Sequence, residues 1–133
     1  MTLRTKKMSA EPSDSDGLRI CVMRDARAYN RHLLSFQEKF KRPMYDMHIK
    51  ELAPPRELKD EFKQGTISWE EYIPWFRREV LEKQRDLIMM YAERALNENI
   101  TFLCTEDNPA HCHRRLLAEE CKKYQPGLEL AIE

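Results

Sequence analysis

One stretch of the sequence, residues 100–124, consists of ITFLC, TEDNPA and HCHRRLLAEECKKY in succession. Its first five residues are apolar or β-branched, which is typical of a buried strand. Asp107-Asn108-Pro109 predicts a turn, and apolar residues then recur at helical spacing from His111 to Tyr124. The stretch therefore predicts a strand, a turn and a helix, the unit from which parallel sheets are built.

Further elements on the N-terminal and C-terminal sides extend this pattern. Strands are predicted over 18–23, 44–49 and 128–132, and helices over 56–63 and 82–97. A partly helical connection is predicted over 28–40. Ser68 and Glu71 form a capping-box pattern at the start of another helix, which Pro74 is expected to kink. Strands separated by helical segments predict an α/β fold: a single domain with a small, mostly parallel sheet of about four strands flanked by helices.

The first residues of the chain differ in composition from the rest. They include Glu11-Pro12-Ser13-Asp14-Ser15-Asp16-Gly17 and show no hydrophobic period. We therefore expect a mobile leader over residues 1–17, followed by the α/β domain over residues 18–133.

The composition excludes several classes of protein. The chain has 133 residues, of which 41% are hydrophobic and 35% charged, so it can fill one core and is not expected to be disordered. It contains neither the Gly-x-Gly-x-x-Gly nor the Gly-x-x-x-x-Gly-Lys pattern of common nucleotide-binding loops. Its apolar runs are far shorter than the roughly 20 residues that span a bilayer, and its basic start lacks the apolar segment of a signal peptide. We expect a cytoplasmic protein whose four cysteines are mostly reduced.

Chemically active side chains cluster where the predicted strand ends and the helix begins. In α/β sheets, ligands bind beyond the carboxyl ends of the strands, and a helix N-terminus lowers the pKa of a thiol and attracts anions. A helical wheel places His113 toward the sheet, so we expect it to pair with Cys104. Cys112 and His113 are adjacent in the helix and are not expected to pair with each other. Cys21 and Cys121 are interpreted as buried core thiols.

These positions suggest a small enzyme that uses a thiol or an anion-binding pocket. In this hypothesis Cys112 is the thiol with the lowered pKa, Cys104 is its partner or resolving thiol, and His113 is the orienting group or base. Arg114 is the expected anion clamp, because the wheel places it at the edge of the buried face. The alternative for Arg114 is an ion pair with an acidic residue of the turn, Glu106 or Asp107.

Two other functions remain open at this point. Cys104, Cys112 and His113 are three candidate metal ligands, with His111 or His48 as a fourth, although the spacing lacks the Cys-x-x-Cys pairs of structural zinc sites. In addition, residues 18–44 carry seven Lys or Arg residues against two acids. The segment from Arg24 to Arg42 could therefore bind the phosphates of a nucleic acid or nucleotide without catalysis.

Two blocks of sequence also match a known family pattern. They are YDMHIKELAPP (45–55) with ISWEEY (67–72), and LCTE (103–106) with CHRRLLAEE (112–120). Together they resemble the prokaryotic family named domain of unknown function 488, over about residues 18–124. The resemblance implies a small α/β domain and no known reaction, substrate or cofactor. The site residues that it implies are Cys104, Glu106, Cys112, His113 and Arg114, with Arg24 and Asp25 at the end of the first strand.

Overall fold

A parallel β-sheet forms the centre of the computed structural model, which describes residues 1–106 and 108–133. Its strands within these ranges are Thr2–Lys7 (β1), Leu18–Cys21 (β2), Met47–His48 (β3), Ile100–Cys104 (β4) and Glu129–Ile132 (β5). They are all parallel and lie in the order β3-β2-β4-β1-β5. The predicted single α/β domain is confirmed, with five strands rather than about four.

Helices connect the strands. Within the described residues the α-helices are Leu33–Phe40 (α1), Arg56–Lys63 (α2), Trp69–Phe76 (α3), Arg85–Arg94 (α4) and His113–Tyr124 (α5). The expected capping box starts α3: the Glu71 amide donates to Ser68 Oγ at 3.1 Å, and the Ser68 amide donates to Glu71 Oε1 at 3.0 Å. After Pro74, which cannot donate a backbone hydrogen bond, α3 gives way to a π-helical turn over Arg77–Leu81. None of the helices in the described ranges has the length and apolar character required to cross a membrane.

Strand β1 corrects the expected domain boundary. Its residues, expected in a mobile leader, lie between β4 and β5 and pair with both: Leu3 with Ile100, and Thr2 with Glu129. The prediction that the domain begins at residue 18 is therefore wrong. The sequence of β1, TLRTKK, has one large apolar residue and no hydrophobic period. Burial of its Lys6 is compensated by an ion pair with Asp16, at 2.7 Å.

The two faces of the sheet are covered by different helices. Successive residues of a strand point to opposite faces. Ile20 and Phe102 pack in a core with residues of α2 to α5. Their neighbours Cys21 and Leu103 pack on the other side with Phe36 of α1. The helices α2 to α5 thus share one face, and the segments that follow β2 and β4 emerge beside them.

Candidate functional site

A cavity lies beyond the carboxyl ends of β2 and β4, which are side by side because the two strands are paired and parallel. Its volume is about 440 Å³, and it is lined by the segments that follow these strands, by α2 and by Tyr72 of α3. Ligand sites of α/β sheets occupy this position. The volume is within the usual range for small-molecule sites, roughly 300–1,000 Å³.

Three of the predicted site residues meet at this cavity. The Nδ1 atom of His113 lies 3.7 Å from the Cys104 sulfur and 3.9 Å from the Cys112 sulfur. All three side chains are buried and line the cavity. The other ring nitrogen of His113, Nε2, is 2.7 Å from the Val22 carbonyl oxygen and so carries the hydrogen of that contact. Nδ1 therefore faces both sulfurs.

The contact between Cys104 and His113 is the one that the helical wheel predicts, whereas the contact between Cys112 and His113 is not. Cys112 precedes the first helical residue and has an extended backbone, with φ −134° and ψ 144°. The divergence of neighbouring side chains on a helix does not apply to a residue outside it. The prediction that these two neighbours remain apart is therefore wrong.

The segment before α5 explains why the helix begins later than expected. The Asn108 side chain accepts a hydrogen bond from the Ala110 amide at 3.0 Å and starts a short 3-10 turn over Pro109–His111. The α-helix then begins at His113 rather than at His111. Asp107, expected in the same turn, lies outside the described residues.

The two thiols have different pKa values because their sulfurs lie within 4.8 Å of each other and interact. Donation from the Cys112 thiol lowers the pKa of Cys104 well below its usual range, and the positive charge of His113 adds to this effect against that of burial. The same hydrogen bond, together with burial, raises the pKa of Cys112. Burial acts to lower the pKa of His113, but the negative charge of Cys104 raises it. The arrangement thus favours a Cys104 thiolate beside a protonated His113, which reverses the thiol roles expected from the sequence.

Arg114 is fully buried and is not part of the cavity lining. Its Nη1 donates to the Glu106 carbonyl oxygen at 2.8 Å and to the Cys112 sulfur at 3.2 Å. Its Nη2 donates to the Glu133 carbonyl oxygen at 3.2 Å. The guanidinium therefore holds the turn after β4 against residue 133 and does not face a ligand. This is close to the alternative considered for Arg114, except that its partner at Glu106 is the backbone rather than the carboxylate.

The remaining predicted site residues, Glu106, Arg24 and Asp25, all line the cavity. Asp25 forms an ion pair with Arg27 at 2.7 Å. The lining residues that the sequence did not single out include Lys59, Phe62, Lys63 and Tyr72. The two lysines are four positions apart and so share one face of α2, but the direction of that face depends on how α2 packs against the sheet.

One group of side chains in the described ranges is placed to hold a metal ion. It consists of Cys104, Cys112 and His113, whose ligand atoms all lie within 4.8 Å of one another. His111 and His48, considered as a fourth ligand, do not belong to the group. A metal bound by these three residues would have a fourth coordination position to fill from the cavity.

The other two cysteines belong to the core, as expected. Cys21 and Cys121 are both fully buried. Burial raises the pKa of Cys21 to about 11 and that of Cys121 to about 12. Neither thiol lines the cavity, so both serve as reference thiols for reactivity measurements.

Some cations of the basic segment from residue 24 to residue 42 have partners within the protein. Arg24 lines the cavity, and Arg27 is paired with Asp25. Arg42 donates to the Gly17 carbonyl oxygen at 3.0 Å. Two of the cations on which the nucleic-acid hypothesis relies, Arg27 and Arg42, thus interact with other groups of the protein. These contacts do not favour that hypothesis.

Comparison of the sequence with protein-family models identifies one matching family. The family DUF488-N3a, described as the active DUF488-N3 subclade, matches residues 3–125. The matched region starts within β1, ends just after α5 and includes the whole Cys104–Arg114 junction. No curated protein and no solved structure matches the chain. The chain therefore belongs to the DUF488-N3a family, in agreement with the resemblance found in its sequence.

Proposed function

We propose that the protein is a small thiol-dependent enzyme in which Cys104 attacks an electrophilic centre of a substrate bound in the cavity. The observation that carries this proposal is the position of His113 Nδ1, 3.7 Å from the Cys104 sulfur and 3.9 Å from the Cys112 sulfur, at the cavity. The thiolate is the nucleophilic form of cysteine, and a neighbouring imidazolium stabilises it.

Each side chain has a separate part in this reaction. The Cys104 sulfur forms a bond to the substrate, and the leaving group departs with the proton from His113 Nδ1. The neutral ring then takes a proton from water, or from another acceptor, as that nucleophile displaces the sulfur and regenerates the thiolate. Cys112 donates a hydrogen bond to the thiolate. The Val22 carbonyl holds the ring in place through Nε2.

We expect iodoacetamide to label Cys104 faster than a free thiol at about pH 6, where a free thiol with a pKa near 8.5 is almost entirely protonated. The lowered pKa of Cys104 keeps the thiolate present at such a pH, and the rate declines only when the pH falls through that lowered pKa. Timed labelling followed by peptide mass spectrometry gives a rate for each cysteine. The protein is treated with a chelator beforehand, so that a bound metal does not protect the thiols.

Two variants serve as test and control for this labelling. His113→Gln removes a positive charge beside the sulfur, so the pH dependence of Cys104 labelling should move to higher pH. Cys121→Ser removes a core thiol and should leave the rate at Cys104 unchanged. Circular dichroism establishes that both variants are folded. Labelling of Cys104 as slow as that of Cys21 in the folded protein would contradict the proposal.

A metal centre is the second candidate function, and a separate observation favours it. Metal-binding histidines usually donate their second ring N–H to a carbonyl or carboxylate, as His113 does to Val22. Zinc bonds of about 2.3 Å to sulfur and 2.0–2.1 Å to nitrogen, at a tetrahedral angle, place the two ligand atoms about 3.5 Å apart. The distances from His113 to Cys104 and Cys112, 3.7 and 3.9 Å, are close to this value.

Metal analysis distinguishes the two candidates. On the second candidate, protein purified without chelators holds about one zinc ion per chain, measured by inductively coupled plasma mass spectrometry. Cys104→Ser should then lose the metal, while Cys121→Ser should keep it. Metal-free protein with a reactive Cys104 would exclude the metal centre. If the protein instead holds one metal ion per chain and this ion protects Cys104 from iodoacetamide, a free Cys104 thiol is excluded as the functional form.

A further inference from the structure

The entrance of the cavity carries a concentration of positive charge. Among its described lining residues, Arg24, Lys59 and Lys63 are cationic at neutral pH and exposed. Arg24 follows β2, and the two lysines lie four positions apart on one face of α2. None of the three forms an ion pair with another described residue. We call these three residues the cationic rim.

The acidic side chains of the cavity do not cancel this charge. Both carboxylate oxygens of Asp25 accept from Arg27 Nε, at 3.0 and 2.9 Å, and the Arg27 Nη2 contact is 2.7 Å. The charge of Asp25 is therefore already compensated. Glu106 is the one other acid of the described lining. The cationic rim thus has a surplus of positive charge over the acids around it.

The guanidinium of Arg24 is also oriented by a hydrogen bond. Its Nε donates to the Pro54 carbonyl oxygen at 3.0 Å, which leaves both terminal nitrogens of the guanidinium without a hydrogen-bond partner among the described residues. A guanidinium oriented in this way presents a planar fork that matches the oxygens of a phosphate or carboxylate. Phe62 and Tyr72 contribute aromatic rings to the lining of the same cavity.

We propose that the cavity binds a small substrate with an anionic group, a phosphate or a carboxylate, held by the cationic rim. The electrophilic centre of the substrate lies over Cys104, and its apolar part packs against Phe62 and Tyr72. The reacting sulfur rests on the function proposed above, whereas the charge of the substrate rests on the rim alone. The anion-binding role expected for Arg114 is thus carried by Arg24, Lys59 and Lys63.

Two alkylating reagents of different charge test this inference. Iodoacetate and iodoacetamide form the same type of bond to sulfur, but only iodoacetate is an anion. The ratio of their rate constants at Cys104, at low ionic strength, should exceed the ratio for a small neutral thiol. Each of Arg24→Gln, Lys59→Gln and Lys63→Gln should lower the ratio about two- to threefold by loss of one nearby charge. Salt should lower it as well.

The matched control is Lys39→Gln, which removes an exposed cation from α1 on the opposite face of the sheet. It should leave the ratio unchanged. A second outcome is that iodoacetamide labels Cys104 rapidly, but the ratio of rate constants equals that of the small thiol and is the same in the rim variants. This outcome would exclude an anionic substrate and would leave the proposal of a reactive thiol intact. Slow labelling by both reagents would instead remove the proposed function.

In that last case, pyrophosphate titration followed by nuclear magnetic resonance still tests the rim. Saturable shifts of the Arg24 and Lys59 amide signals, lost when all three rim residues are replaced with Gln, would support an anion site. Unchanged spectra would overturn it.

Discussion

Gly17→Ala is expected to lower the free energy of unfolding by about 3 kcal/mol or more, because it combines backbone strain with a clash. Gly17 has φ 60° and ψ −131°, a conformation that residues with a Cβ atom rarely adopt. A Cβ atom there would lie 2.0 Å from the Asn99 carbonyl oxygen. That oxygen accepts a hydrogen bond from the Leu18 amide at 3.0 Å, at the start of β2. Relief of the clash would therefore disturb the pairing of β2 with β4.

Urea unfolding followed by circular dichroism measures this loss, and Gly65→Ala is the matched control. Gly65 also has a positive φ, 79°, but no described atom lies within 4 Å of the position of an added Cβ. Its substitution should cost only the backbone strain, about 1 kcal/mol. Equal stabilities of the two variants would show that Gly17 does not pack against Asn99 in the folded protein.

Arg114→Ala is expected to lower the free energy of unfolding by about 3–5 kcal/mol, through an emptied buried volume and the loss of charged donors. The carbonyl oxygens of Glu106 and Glu133 would each lose a hydrogen bond, and so would the Cys112 sulfur. Arg115→Ala is the control, because Arg115 forms a half-exposed pair with Glu119 at 3.4 Å. It should change the stability by no more than about 0.5 kcal/mol. Thermal and urea unfolding of both variants provide the comparison.

A second measurement separates this structural role from the anion clamp expected from the sequence. Arg114→Met retains much of the buried volume and should remain folded with an intermediate stability. The ratio of iodoacetate to iodoacetamide labelling at Cys104 should be the same in Arg114→Met as in the wild type. A ratio lowered as far as in Lys59→Gln would show that Arg114 acts on anions in the cavity, contrary to the contacts described here.

Local signals in the sequence predict much of the fold. The bounds of α2 and β4 agree with the prediction, since the apolar spacing of each element lies within its own residues. The capping box of Ser68 and Glu71 is equally local. Strand β1 has no such signal, because its position is set by two neighbours near the other end of the chain. Its basic residues also resemble an exposed segment until Asp16 is placed beside Lys6.

Local sequence signals likewise predict only part of the candidate site. The helical wheel brings Cys104 and His113 together, because a strand and the following helix pack in a regular way. The direction of Arg114 could not be predicted in this way, since it depends on the Glu133 backbone, 19 positions away. The thiol that bears the charge depends on the close approach of the Cys104 and Cys112 sulfurs, which the extended backbone of Cys112 permits.

The interior position of β1, between β4 and β5, has a consequence for the kinetics of folding. Leu3 pairs with Ile100, 97 positions later, and Thr2 pairs with Glu129, 127 positions later. Such long-range pairings form only with a large loss of chain entropy, so they lower the rate of folding. A nascent or partly folded chain that lacks β4 and β5 leaves β1 without a neighbour and β2 paired only with β3. The unpaired strand edges of such a chain can pair with other chains, which promotes aggregation. Completion of the last third of the chain therefore protects the strands of the first third from aggregation.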